Sequence, residues 1–322
     1  MPAGPFGWID DPAAVEAVLK TLPNPILHES DVGLSLMRRA EPKDVCFWDL
    51  EFEMLGKINP AHYQARGTCV GQGFSRAVEH VALADILEHG DIEEWFAKVA
   101  PASIYGPSRV EIGGGGLRGD GSTGAWAAKS VKQIGVLLRL KYEVGDGAVI
   151  DLSPDNDETF CVSWGNTGMP DAIEPEARKH LISDASLVLT RDVMLSCFWS
   201  YKPLAFCSNQ GFTETRDQYG MCQPSGSWAH CMEGCGAVLI KHPSHPNGLQ
   251  TVGIWQSWGQ NSPGGNNRVT LQTGEEILLP PGVFLIDADV AATRMLPARD
   301  TFALAGVDGW EPTLADFYLL PR

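Results

Sequence analysis

Three residues spread along this chain could together carry nucleophilic catalysis. Cys69 sits in RGTCVGQGFS (66–75), among small residues and directly ahead of a helical pattern of Ser75, Val78, Val81, Ala82 and Leu83. A helix N-terminus carries partial positive charge and unpaired N–H groups. A thiol there loses its proton more readily and becomes a better nucleophile. A thiolate needs a base, and the base needs a partner that orients it. Of the eight histidines, His230 opens a strand-like run in GSWAHCMEGCGAVLI, where rigid backbone would hold its ring. The others fall in loops or on helix faces without a matching partner. Gln256 stands between two tryptophans in IWQSWG, on the next strand-like run. Its amide oxygen can accept the second imidazole N–H, and a neighbouring indole can keep water from that bond.

Other chemistries fit less well. Cys222, His230, Cys231 and Cys235 do not form two paired halves of a zinc site, and Cys231 to Cys235 reads as one face of a strand, so no metal or other cofactor is expected. The glycine loop GGGGLRGDGS (113–122) lacks a following Lys-Ser/Thr and has no clear strand before it, which argues against a phosphate cradle. It suits a loop that lets another backbone approach closely. The net charge of −16 repels phosphate backbones, so nucleic acid is not an expected partner. No apolar run approaches the ~18–20 residues of a membrane span, and no membrane partner is expected. The N-terminus shows neither the basic flank nor the apolar core of a secretory signal. With eight cysteines dispersed through 322 residues, reduced thiols are expected, as in the cytoplasm or a virion.

The elements that must position these residues divide into two kinds. DDPAAVEAVLKTL (10–22) predicts a short capped helix, and 23–60, with four prolines, an extended surface arm. A strong helix runs from Cys69 to about His89, stopped by Gly90; a second lies around 92–110; Ser122 or Thr123 caps a third that stops at Gly135. Helices are expected near 174–183 and 191–201. Beyond them, 202–208, 230–241, 250–258 and 282–287 read as strands. The expected class is α+β with two lobes: a helical lobe (61–186) carrying the nucleophile helix and a β-rich lobe (187–296) carrying His230 and Gln256, between the N-terminal helix and arm (1–60) and a C-terminal extension (297–322).

The order of these pieces resembles the papain-like cysteine peptidases. QARGTCV is similar to their segment around the nucleophile, ASIYGPSR to their following helix, GDGSTGAWAAKSVKQIGV to the loop and helix that hold substrate backbone, FWSYKPLAFCSN to the helix and strand before the histidine, and IWQSWG to their IKNSWG. The resemblance runs from about Pro60 to Leu296. It implies a helical lobe facing an antiparallel sheet or barrel, and a thiol hydrolase of peptide or isopeptide bonds acting on protein or peptide substrates. It also implies roles: Cys69 as nucleophile, His230 as base and later acid, Gln64 with the Cys69 N–H as oxyanion hole, Gly121 along the substrate backbone, and Trp258 as a shield of the orienting bond. Gln256 stands where the family has asparagine, and Gln64 lies one residue closer to the cysteine than is usual. The alternative is a papain-fold structural or binding subunit, with neighbouring subunits of a large assembly such as a virus particle as partners. The first 60 residues are expected to be too short for the family's inhibitory prodomain.

Overall fold

The computed structural model describes residues 6–89, 97–155, 157–259 and 262–307. Helix α1 (Pro12–Leu19) starts where Asp11 accepts the Ala14 N–H and proline fills the first turn. Residues 23–60, expected as an extended arm, instead fold. They form helix α2 (Asp31–Arg39), a two-residue strand β1 (Val45–Cys46) and helix α3 (Phe47–Leu55). The prolines that suggested an arm lie between these elements and never inside a helix. Ser30 caps α2 by accepting the Gly33 N–H, and α3 stops at the left-handed Gly56. Phe47 and Trp48 of α3 are among the largest fully buried side chains of the chain.

Helix α4 (Cys69–His89) crosses the middle of the molecule. Its residues from Cys69 through Val81 are all buried, polar ones included, because it packs on both sides. Gly73 makes one close approach possible: a Cβ there would stand 2.9 Å from the Cys231 Sγ. Helices α5 (Ala102–Pro107), α6 (Gly124–Gln133, capped by Thr123) and α7 (Glu158–Thr167) complete the helical side. Gly90 and the start of the helix expected around 92–110 lie outside the described residues. The helix expected near 174–183 is only Glu174–Ala177. The chain then turns into strand β2 (Ile182–Leu187), whose Ser183, Asp184 and Ser186 hide its partial burial from a hydropathy reading.

After α8 (Arg191–Trp199) come β3 (Leu204–Phe212), the long β4 (Pro224–His242), β5 (His245–Trp255), β6 (Val283–Asp287) and β7 (Phe302–Val307). The expected strands are all present, with β4 longer than its apolar run. They form one antiparallel sheet in the order β6–β5–β4–β3–β7–β2, with β1 added to β4 through Val45 opposite Ala237. The segment read as a C-terminal extension thus supplies an interior strand, β7, between β3 and β2. Among the described residues, α+β organisation with a helical side and a sheet side is as the sequence predicts. In register, Cys207 faces Cys231, Ser208 faces His230, and Glu233 faces Trp255.

A buried ionic cluster joins α4 to this sheet. Arg76 donates to Glu51 and to Glu79, each at 2.8 Å, and its guanidinium lies 3.9 Å from the centre of the Trp255 ring. His80 on α4 shares a short bond with Glu233 on β4. Asn59 also binds Glu51, and His62 lies 3.5 Å from Glu79. Four elements are thereby locked in one arrangement, since a charge buried here without its partner would be costly.

Candidate active site

Cys69 is the first residue of α4, and its sulfur is fully buried. The backbone amides of Cys231, Gly7 and Val70 lie near it and ease its ionisation. Cys231 directly follows His230, so the N-terminus of α4 abuts β4 beside that histidine. Burial and then the nearby Cys231 thiol push the Cys69 thiol well above its ordinary value, against the weaker pull of those N–H groups. Burial alone pushes His230 down to about 3. In this state both groups are neutral, a thiol and an imidazole.

Trp258 lies on His230 as a stacked ring, with centroids 4.5 Å apart and planes at 19°. The indole expected to shield an orienting bond thus lies against the imidazole itself. Gln256 behaves differently. Its amide nitrogen donates to Gly259 O at 3.1 Å and also to Ser262 O, and its oxygen accepts the Trp258 N–H. Both ring nitrogens of His230 are buried without a hydrogen-bond partner. The expected bond between the Gln256 oxygen and the imidazole is not formed here. One methylene more than asparagine lets the side chain curl back and brace its own turn, and that turn carries Trp258.

Gln64 is buried, and its amide is likewise engaged. Nε2 donates to Arg66 O at 3.0 Å, the oxygen accepts from Ser257 Oγ, and its backbone N–H donates to Ser257 O at 2.9 Å. Gln64 thus joins the approach to Cys69 to the turn after β5. Gly121 has φ +113, a value that favours glycine. Tyr105 Oη accepts its N–H at 2.7 Å, and Arg109 donates to its carbonyl and to Gly119 O. Tyr105 and Arg109 therefore set the glycine loop. Their segment, ASIYGPSR, is one the resemblance had already marked, though without a role for either.

A further segment lies on the site. Gly7 N–H and Trp8 N–H both donate to Ala229 O at 3.1 Å, Ser122 N–H donates to Gly7 O at 2.9 Å, and Ile9 N–H donates to Ser122 O at 2.9 Å. Trp8 and Ser122 pair in parallel. The Phe6 ring meets His230 and Trp258 edge-on, with centroids 6.5 and 6.1 Å away. The Trp8 indole N–H donates to Asp300 Oδ2 at 2.7 Å, and Asp300 also accepts the Gly124 N–H at the start of α6. Gly7, Trp8, Ser122 and Asp300 had no role in the sequence reading. No periodicity or motif links an N-terminal aromatic to an aspartate 292 residues away.

All eight cysteines are buried free thiols. Among the described residues, no three or more His, Cys, Asp or Glu gather as metal ligands, and no helix is long and apolar enough to cross a membrane.

The fold has counterparts among solved structures. Xylellain, a cysteine protease from Xylella fastidiosa, superimposes with a TM-score of 0.58 over 94% of this chain and 96% of its own, at 15% identity. The chain has the papain-like cysteine-peptidase fold. Procathepsin B S9 from Trypanosoma congolense also matches, with a TM-score of 0.50 over 94% of this chain and 91% of its own, at 12% identity. No family model and no curated protein matches the sequence. The papain-like fold thus spans nearly the whole chain, well beyond the Pro60–Leu296 stretch in which the sequence resemblance is legible.

Proposed function

We propose that this chain is a papain-like cysteine peptidase, hydrolysing peptide or isopeptide bonds with Cys69 as nucleophile and His230 as general base. One observation carries the reading: Cys69 opens the central helix of a papain-like fold and abuts the strand of His230, with Trp258 stacked on that imidazole. His230 takes the thiol proton as sulfur attacks the scissile carbonyl carbon. The tetrahedral intermediate collapses to a thioester, and the amine leaves with the proton from His230. Water then gives a proton to His230 and attacks the thioester, and the acid product and the thiol are regenerated. The helix N-terminus favours the developing negative charge on sulfur. The Cys69 N–H, with the Gln64 amide swung away from Arg66 O, would bind the oxyanion. The fold shared with xylellain, itself described as a cysteine protease, supports the class of chemistry.

The test is turnover of a mixed peptide library by the wild type and by Cys69→Ala and His230→Ala. Hydrolysis lost in both variants supports the assignment. Hydrolysis that survives Cys69→Ala rejects it.

A further inference from the structure

We propose that Cys69, Cys231 and Cys207 form a thiol relay that reduces a hydroperoxide at this site, returning Cys69 to its thiol and ending as a Cys207–Cys231 cross-strand disulfide. The inference rests on the reading of Cys69 as the reactive thiol. It adds a second reaction to that site, through two cysteines that peptide hydrolysis does not use.

The Cys231 sulfur lies one helical turn from the nucleophile. Cys231 directly follows His230 on β4, and its backbone amide is near the Cys69 sulfur. Its own sulfur rests on α4: a Cβ on Gly73 would stand 2.9 Å from it. Cys69 and Gly73 are four residues apart in that helix, so they share a face, with Cβ positions about 5–6 Å apart. The missing side chain at Gly73 leaves the room that the Cys231 sulfur occupies.

Cys207 stands on the far side of Cys231. The two are direct partners in the antiparallel β3–β4 ladder, and their thiols are close enough to interact. Cα atoms of such partners are about 4.5 or 5.5 Å apart, and a disulfide needs about 4.4–6.8 Å. The bond can therefore close without moving either strand. Among the described residues, no other two cysteines share a ladder position.

A proton acceptor is in place for the last thiol. A Cβ on Gly124 would stand 2.8 Å from the Cys207 sulfur and 2.9 Å from the Asp300 carboxyl carbon, so both crowd one point at the start of α6. Asp300 Oδ1 is buried without a hydrogen-bond partner. Cys207 and Cys231 are themselves fully buried, against α6 and α4, so oxidation reaches them through Cys69. Cys69 is also covered. The opening that admits a peptide admits a hydroperoxide, which is smaller.

Each step balances. His230 takes the Cys69 proton as the sulfur attacks one peroxide oxygen. The O–O bond breaks, the alcohol leaves with that proton, and Cys69 becomes a sulfenic acid. The Cys231 sulfur attacks the Cys69 sulfur. An S–S bond forms, the S–O bond breaks, and hydroxide leaves with the Cys231 proton as water. Cys207 gives its proton to Asp300 and attacks the Cys231 sulfur. The Cys207–Cys231 bond forms, and Cys69 leaves as a thiolate that takes up the proton from Cys207. One hydroperoxide has given an alcohol and a water, and two thiols have become one disulfide, which a small dithiol reduces. Without Cys231 the sulfenic acid stays exposed to further peroxide, which carries it irreversibly to sulfinic acid.

The experiment treats the full-length wild type, Cys69→Ala, Cys231→Ala and Cys207→Ala with hydrogen peroxide at neutral pH. Each is quenched with iodoacetamide and dimedone, digested without reduction and mapped by mass spectrometry. The wild type should show the Cys207–Cys231 disulfide and an alkylated Cys69. Cys207→Ala should stop at a Cys69–Cys231 bond. Cys231→Ala should carry the dimedone adduct on Cys69 and pass to sulfinic acid as peroxide is raised. A wild type without the Cys207–Cys231 bond overturns the proposal, and that reading depends on no variant. So does the same bond forming equally fast in Cys69→Ala, or in Cys69→Ser where the alanine variant fails to fold. Peptide turnover before peroxide separates this proposal from the peptidase. Relay products without turnover sustain the relay and count against the peptidase. Turnover that needs Cys69, with no disulfide after peroxide, does the reverse.

Discussion

Trp258 lies flat on His230, ring on ring at 4.5 Å, and Trp228 meets Trp258 edge-on with centroids 4.9 Å apart. An imidazole enclosed in this way is kept neutral because its charged form has lost water and gained no partner. Trp258→Ala should admit water and move the His230 value from about 3 toward its ordinary 6.5 by at least about one unit. An NMR titration of the imidazole measures this. An unchanged midpoint would mean that the Phe6 side of the ring, and not the indole, controls its hydration.

Gln256 has two separable roles. Its side chain now braces the turn from 256 to 262, so Gln256→Ala should lower stability by ~1–3 kcal/mol, the usual cost of unmet buried hydrogen bonds. Thermal unfolding reports that part. If the amide also turns to His230 once the site opens, the same variant loses kcat with little change in KM. Gln256→Asn reaches less far around its own turn and should keep or raise kcat. A stability loss with kcat intact would confine Gln256 to bracing.

The buried Asp300 makes a pH prediction. Burial raises its carboxyl to about 7 from an ordinary 3.8, and Asp10 adds to the rise, while the Trp8, Gly124 and Ala125 N–H groups oppose it. Folding therefore takes up a proton at this group. The stability this gives is complete below about 3.8 and is lost as pH rises through about 7. His230 has the opposite sign: its depressed value favours the folded form above 6.5 and weakens it as pH falls toward 3. The difference in unfolding free energy between Asp300→Asn and wild type isolates the carboxyl. From pH 4.5 to 7.5 the wild type should lose more than about 1 kcal/mol relative to the variant. Denaturant unfolding at the two pH values measures this, and a flat difference would remove Asp300 from the linkage.

The buried cluster under the site makes a stability prediction of its own. Arg76→Met keeps an unbranched apolar stem and leaves Glu51 and Glu79 without their cation. The expected loss is ~3–5 kcal/mol, as for other buried pairs broken from one side. Denaturant unfolding would detect it. A loss below about 1 kcal/mol would show that His62 and Asn59 alone satisfy these carboxylates.

What the sequence made legible follows from how local each signal is. The start of α4 at Cys69 could be read because small residues followed by an apolar period mark a helix start locally. Strands β3 to β6 announced themselves through apolar runs between turn residues. Residues 23–60 were misread because prolines were weighed above the capping signals at Ser30 and Gly56. Strand β2 was hidden by its polar residues. The partners of Gln256 depended on which way a flexible amide turns, and no spacing fixes that. Trp8 and Asp300 meet only because the fold brings the two ends of the described chain together.

That meeting has a consequence for biosynthesis. Strand β7 lies between β3 and β2, so until residues 302–307 exist the sheet is two blocks with open edges, an arrangement prone to wrong pairing. Asp300 arrives with it. The Trp8 indole is thus made 292 residues before the carboxylate that accepts its N–H. Until then that donor has nothing to bind, and Gly124 at the start of α6 lacks its acceptor too. Pinning of the N-terminal elements and completion of the sheet become one event, and a chain stalled before residue 300 would hold Cys69 on an unfinished fold.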